Sequence, residues 1–171
     1  DELGMEDVEI PQEKIRDPQA LNEPGVGRSR DPERTPMQWD DSDNAGFTNG
    51  DPWLPVSPHY KEQNVKNLWD KDGSMLDLHR KLLKIRAKEP ALHVGNYFPV
   101  FTNKDLLSYI RKFENQRFLV ILNLGASELD FMPEFEWKGT VKVATDHSME
   151  GKKVNNKMKI AGNLGLLIKI D

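Results

Sequence analysis

The sequence predicts a chain of two unlike parts: a long irregular segment that leans on a scaffold and ends in one amphipathic helix, then an all-β antiparallel sandwich. Three observations lead there. Residues 1–72 are rich in Asp, Asn, Gly and Pro and follow neither a 3.6 nor a 2 period. So long an irregular stretch is uncommon inside an independent compact domain, which argues for a functional loop resting on a scaffold elsewhere. From Ser74 the apolar residues recur at helical spacing, and after Gly95 short apolar runs alternate with turn residues.

Composition sets the bounds. The chain has 171 residues, 37% hydrophobic and 30% charged, with Trp 4 and Phe 7, enough apolar material to build a core. A net charge of −4 and a pI near 5.6, with the basic residues scattered, exclude a nucleic-acid footprint. No apolar run approaches the roughly 20 residues of a membrane span, and nothing resembles a signal peptide. There is no cysteine and no Asn-x-Ser/Thr sequon, so the compartment is left open. Starting at Asp1 without Met, the chain is expected to be the C-terminal portion of something longer.

Residues 1–23 carry Asp1, Glu2, Glu6, Asp7, Glu9, Glu13, Asp17 and Glu23 against Lys14 and Arg16. Such a charge run reads as a solvated loop, kept irregular by Pro11, Pro18 and Pro24. The stretch from Gly27 to Phe47 is different. Pro32 and Pro36 exclude a regular helix or central strand, yet Arg28, Arg30 and Arg34 alternate with Asp31, Glu33, Asp40 and Asp41, and Met37, Trp39 and Phe47 add large apolar area. A disordered tether would have few aromatics and one sign of charge, whereas this loop can bury rings and pair guanidinium groups.

Order resumes at Ser74, which caps a helix with Asp77 three positions on. Leu78, Leu82 and Ile85, widened by Met75 and Leu83, predict a helix from Met75 to Lys88 whose stripe is core, and Pro90 stops it. Seven strands follow: 97–101, 106–113, 117–124, 129–131, 140–145, 157–160 and 164–170. Phe118, Val120, Ile121 and Leu122 read as a buried central strand, while Val141, Val143 and Leu167 alternate as one-sided strands do. The domain boundary falls near residue 94, giving domains 1–94 and 95–171.

Arg30-Asp31-Pro32-Glu33-Arg34-Thr35-Pro36-Met37-Gln38-Trp39-Asp40, followed by Asn44-Ala45-Gly46-Phe47, closely resembles the loop after the eighth barrel strand in α-glucosidases of the α-amylase superfamily, insect maltases included. Asp1-Glu2-Leu3-Gly4-Met5 is similar to the end of that strand, and Pro52-Trp53-Leu54-Pro55-Val56 with Asn64-Val65 sit at further family markers. The resemblance implies an α/β fold for residues 1–94, the end of a (β/α)8 barrel comprising the long loop after strand 8 plus helix 8, followed by the all-β antiparallel sandwich. It further implies retaining hydrolysis of terminal α-linked glucose in maltose, sucrose or short oligosaccharides. The partners implied are an α-glucoside substrate and the upstream barrel of the same polypeptide. No cofactor and no metal is called for, and the location is extracellular by resemblance.

Retaining glycoside hydrolysis needs two carboxyl groups about 5–5.5 Å apart. The family's nucleophile, acid/base and stabilising aspartate all lie upstream of the matched segments, so no catalytic residue is assigned here. What remains is substrate binding. The resemblance makes Arg30 the residue that reaches the terminal glucose and Arg34 its buttress or second contact, with Asp31 and Glu2 supporting them. The alternative is that both arginines pair with Asp31, Glu33 or Asp40 and serve the loop alone. Trp39 could stack on a sugar, but a core position beneath the loop suits it better. Asp41, Asp43 and Asn44 lack the later bidentate glutamate of a calcium loop. Two other functions stay open: a non-enzymatic ectodomain of the amino-acid transporter heavy-chain type, and a free-standing carbohydrate-binding sandwich. Few aromatics in regular array argue against the latter.

Overall fold

Proline and asparagine chemistry shapes the first half of the chain. The computed structural model describes residues 2–171, without the side chains of Phe101 and Thr102. Asp1, which opens the Asp1-Glu2-Leu3-Gly4-Met5 segment, lies outside the described residues. Two compact units result, Asp1–Asp77 and Leu78–Asp171.

In the first unit Pro18 does not keep the chain irregular but opens helix α1 (Pro18–Asn22), because a proline at N1 gives up an amide that has no helical partner anyway. Asp17 caps it, its Oδ1 accepting from the Gln19 amide at 3.4 Å. A second short helix, α2 (Val65–Leu68), is capped by buried Asn64, whose Oδ1 accepts from the Asn67 amide at 2.9 Å. The rest of the unit is turns and 3₁₀ segments, with no strand among the described residues, as the composition predicted. Its small core joins Leu3, Leu68 and Leu76 to Met5, Met37 and Val65. Beside it Gln63 donates to the carbonyls of Leu3 and Gly4, both at 2.7 Å, and the buried Gln38 side chain donates to the Gln63 carbonyl. Gln38 therefore takes the interior position, and Trp39 is left half exposed at 50%, not buried beneath the loop.

Helix α3 (Met75–Lys88) has the predicted limits. Ser74 Oγ accepts from the Asp77 amide, and Asp77 Oδ2 accepts from the Gly73 amide, both at 3.1 Å. The division between units falls after its first turn, so most of the helix counts with the β-rich unit, whereas the boundary read from sequence lay near residue 94. Pro90 ends α3 and starts a further turn, α4 (Pro90–His93), which the sequence reading missed.

Eight strands follow: β1 (Asn96–Thr102), β2 (Leu106–Phe113), β3 (Gln116–Asn123), β4 (Leu129–Phe131), β5 (Lys138–Ala144), β6 (Lys153–Asn155), β7 (Met158–Ile160) and β8 (Gly165–Ile170). A six-stranded antiparallel sheet runs β1-β2-β3-β8-β5-β6, and β4 pairs with β7 in a second sheet. The inner face carries Leu119, Ile121, Leu166, Ile168 and Ile170 against Phe131, Trp137 and Ile160, with the Phe131 and Trp137 rings edge-on at 6.0 Å. The outer face carries Phe118, Val143 and Leu167 under Leu78, Ala91 and Leu92. An apolar cleft of about 320 Å³ remains on that side, lined by Leu82, Ile85, Tyr109 and Val120 among others.

Two expectations change here. β8 is buried on both faces rather than one, because Leu166 and Ile168 enter the inner core while Leu167 enters the outer one. Val141 and Val143 would share a face in a regular strand, but a bulge between them sends Val141 inward and Val143 outward. No helix among the described residues is long and apolar enough to cross a membrane.

Candidate functional site

The arginine loop is tied to the acidic segment by two buried carboxylates arranged crosswise. Asp17, fully buried, accepts from the Arg30 amide at 2.7 Å, from Arg30 Nε at 3.2 Å and from Arg30 Nη2 at 2.7 Å. Asp31, also fully buried, sends Oδ2 the other way to the amides of Arg16 at 2.7 Å and Asp17 at 2.9 Å. The dipeptides 16–17 and 30–31 therefore hold each other, with α1 and the turns at Gly25 and Gly27 looped out between them.

The electrostatics follow from these bonds. The Arg30 side chain holds the Asp17 carboxyl well below the usual carboxylate range, helped by the Arg30 and Gln19 amides, which outweigh desolvation. In return Asp17 raises the Arg30 guanidinium above its ordinary value. For Asp31 burial pushes upward, but the Arg16 and Asp17 amides prevail and the net shift is downward. Both carboxylates are thus ionised at neutral pH. Neither is therefore suited to be the protonated acid of a retaining hydrolase.

The predicted residues are brought together in part. Arg30 and Asp31 lie in the clamp, and Arg34 Nη1 stands 4.0 Å from Asp31 Oδ1, an outlying member. Glu2 is exposed in a turn. The partner of Arg30 is not Asp31, Glu33 or Asp40 but Asp17, 13 residues upstream in a segment read as solvated. The available signal was Asp17-Pro18, an N-cap before an N1 proline, which marks ordered backbone without naming a partner. The Arg30 side chain remains 56% exposed, and among the described residues Nη1 has no recorded partner.

Downstream, the loop closes through a turn at Asp43–Gly46 in which Asn44, Ala45 and Gly46 are all left-handed, with φ of 53°, 57° and 66°. A Cβ on Gly46 would meet Asp40 Oδ1 at 2.8 Å, so another residue here would be strained in its backbone and would displace the Asp40 carboxylate. Asp40 accepts from the amide and hydroxyl of Ser42, which lower its pKa, and Asp41 pairs with Lys66 at 3.0 Å. These carboxylates are occupied by protein donors. No group of three His, Asp or Glu among the described residues is placed to hold a metal ion.

Residues 1–95, more than half of the chain and the whole of this loop system, match the family described as Alpha amylase, catalytic domain. The chain belongs to the α-amylase family. It is 38% identical over 152 residues to maltase A1 of Drosophila melanogaster, covering 85% of this chain and 26% of the relative. It is 35% identical over 144 residues to the oligo-1,6-glucosidase of Parageobacillus thermoglucosidasius, covering 73% and 26%. Among solved structures, the trehalulose synthase of Pseudomonas mesoacidophila MX-45 superposes with a TM-score of 0.88 at 28% identity, covering 99% of this chain and 34% of that one. The chain thus spans about a quarter of the length of these α-amylase family relatives.

Proposed function

We propose that this chain is the C-terminal part of an α-glucosidase that hydrolyses terminal α-linked glucose from maltose, sucrose or short oligosaccharides with retention. In this reading residues 1–94 complete a (β/α)8 barrel with its strand-8 loop and helix 8, and residues 95–171 form the β domain. The catalytic carboxylates come from upstream. This segment supplies Arg30 as a substrate ligand and Arg34 beside it, with Asp31 and Glu2 in support.

One observation carries the reading: a guanidinium anchored by one edge on a buried carboxylate, its other edge unpartnered, at the head of the motif. A planar fork so held donates several hydrogen bonds to ring hydroxyls, where a lysine could offer only a point charge. The relatives named as maltase and oligo-1,6-glucosidase act on α-glucosides, which supports an enzyme over a transporter ectodomain.

The test is Arg30→Ala in the full-length enzyme. Losing a charged ligand from a sugar pocket lowers kcat/KM by roughly 30- to 1000-fold, and Arg30→Lys does not restore it. Arg28→Ala, on the exposed side of the loop, serves as control and stays within a few-fold. A folded Arg30→Ala enzyme with native kcat/KM on maltose would make Arg30 a structural residue.

A further inference from the structure

We propose that Asp17 is the positioning residue of this site: it grips Arg30 by the amide and by the Nε–Nη2 edge, and so presents the Nη1 edge to the sugar. The proposal rests on Arg30 being a substrate ligand.

The geometry is asymmetric in an informative way. Asp17 is fully buried while the side chain it holds is 56% exposed, so a fixed anion anchors a cation that reaches outward. One carboxylate takes both the backbone and the side chain of the same residue, at 2.7, 3.2 and 2.7 Å. That arrangement sets the position of the Arg30 main chain and its side-chain rotamer together. Of the five guanidinium N–H donors, two are spent on Asp17 and three remain. An arginine left free would have to surrender several rotatable bonds on meeting a sugar, whereas this one has already done so.

The grip is itself braced. Asp31 holds the Asp17 and Arg16 amides, so the main chain that carries Asp17 cannot shift without breaking a second buried set of bonds. Asp31 Oδ1 has no hydrogen-bond partner among the described residues, which leaves Oδ2 as the bracing atom. The Arg30 side chain holds the Asp17 carboxyl below the usual carboxylate range, so the pair stays ionised at neutral pH.

The experiment is a double-mutant cycle in the full-length enzyme, with kcat/KM on maltose and melting temperature read in parallel for Asp17→Asn, Arg30→Ala and both together. Asp17→Asn keeps the shape and weakens the grip. It should lower kcat/KM by about 10- to 100-fold when Arg30 is present, and by less than about twofold in the Arg30→Ala background. The melting temperature should fall in both backgrounds, since the Asp17 bonds to Gln19 and to the backbone of residue 30 do not need the guanidinium. If Arg30→Ala is impaired and Asp17→Asn is not, Arg30 stands as a ligand and the positioning role is overturned. Equal impairment with and without Arg30 overturns it too. An active Arg30→Ala enzyme removes the underlying reading instead.

Should Asp17→Asn fail to fold, chemical rescue decides. Millimolar guanidinium chloride should restore part of the activity lost in Arg30→Ala, because the Asp17 carboxylate is left open to receive it, and equimolar sodium chloride should not. Absence of rescue in a folded Arg30→Ala enzyme overturns the proposal.

Discussion

Phe118 tests the packing of the β-rich unit most directly. It sits fully buried near the start of β3, on the outer face of the six-stranded sheet, among Leu78 from α3, Ala91 and Leu92 from α4, Val143 and Leu167. Lys169 Nζ lies 5.6 Å from its ring centroid while pairing with Glu89 at 3.3 Å. Phe118→Ala withdraws about 150 Å² of apolar surface, about 4 kcal/mol at roughly 25 cal/mol per Å². That agrees with the 3–5 kcal/mol usual for such truncations, and loss of the lysine contact adds about 0.5 kcal/mol. Phe118→Leu keeps most of the volume and should cost about 1 kcal/mol. Amide hydrogen exchange is the assay, because protection in β3 and β8 reports this unit alone. Exchange of these amides should accelerate by roughly two to three orders of magnitude in Phe118→Ala, and the α3 amides from Leu78 onward should lose protection with them. A loss under about 1.5 kcal/mol, or α3 protection that ignores the substitution, would refute the outer core as a packed unit shared by helix and sheet.

Limited proteolysis separates the two placements of the boundary. With α3 packed on the sheet, cleavage should start in the irregular residues before Ser74 and leave a fragment that retains α3 and runs to Asp171. A stable fragment beginning near residue 90 would instead favour the boundary read from sequence. Acid titration probes the clamp. The Asp17 and Asp31 carboxyls both titrate below their ordinary value, so their contribution is fully present above about pH 4, the usual aspartate range, and is lost as pH falls from there. Carboxyl carbon shifts of Asp17 and Asp31, followed with the Arg30 amide from pH 6 to pH 2, should move only at the acid end. An Asp17 midpoint at or above about pH 4 would contradict the grip of Arg30 on Asp17.

Much of this protein was legible in its residues because the deciding interactions are local. Ser74, Asp77 and Pro90 set both ends of α3 within a turn of each limit, and Leu106–Phe113 and Leu129–Phe131 form strands with the limits their patterns predict. The irregular first half follows from its prolines and glycines, and the motif from Arg30 to Asp40 lies within the residues 1–95 that match the family. The edge strand β6 escaped notice, since Lys153, Val154 and Asn155 offer one half-buried apolar side chain and no alternation to read.

Only the tertiary structure decided the rest, wherever the partner lies far along the chain. Nothing within reach of Asp17 in sequence marks it as the anchor of Arg30, because their pairing is made by a 13-residue excursion closing on itself. Val141 and Val143 alternate correctly for a one-sided strand, yet a bulge set by pairing with β8 assigns them to opposite cores. Leu167 looks one-sided in the same way until α3 and α4 cover the outer face. Trp39 reads as a core residue by size, but Gln38 has already taken the interior position through its bond to the Gln63 carbonyl. Local chemistry chooses the backbone states, while burial and ion pairing depend on which distant segment arrives to fill the space.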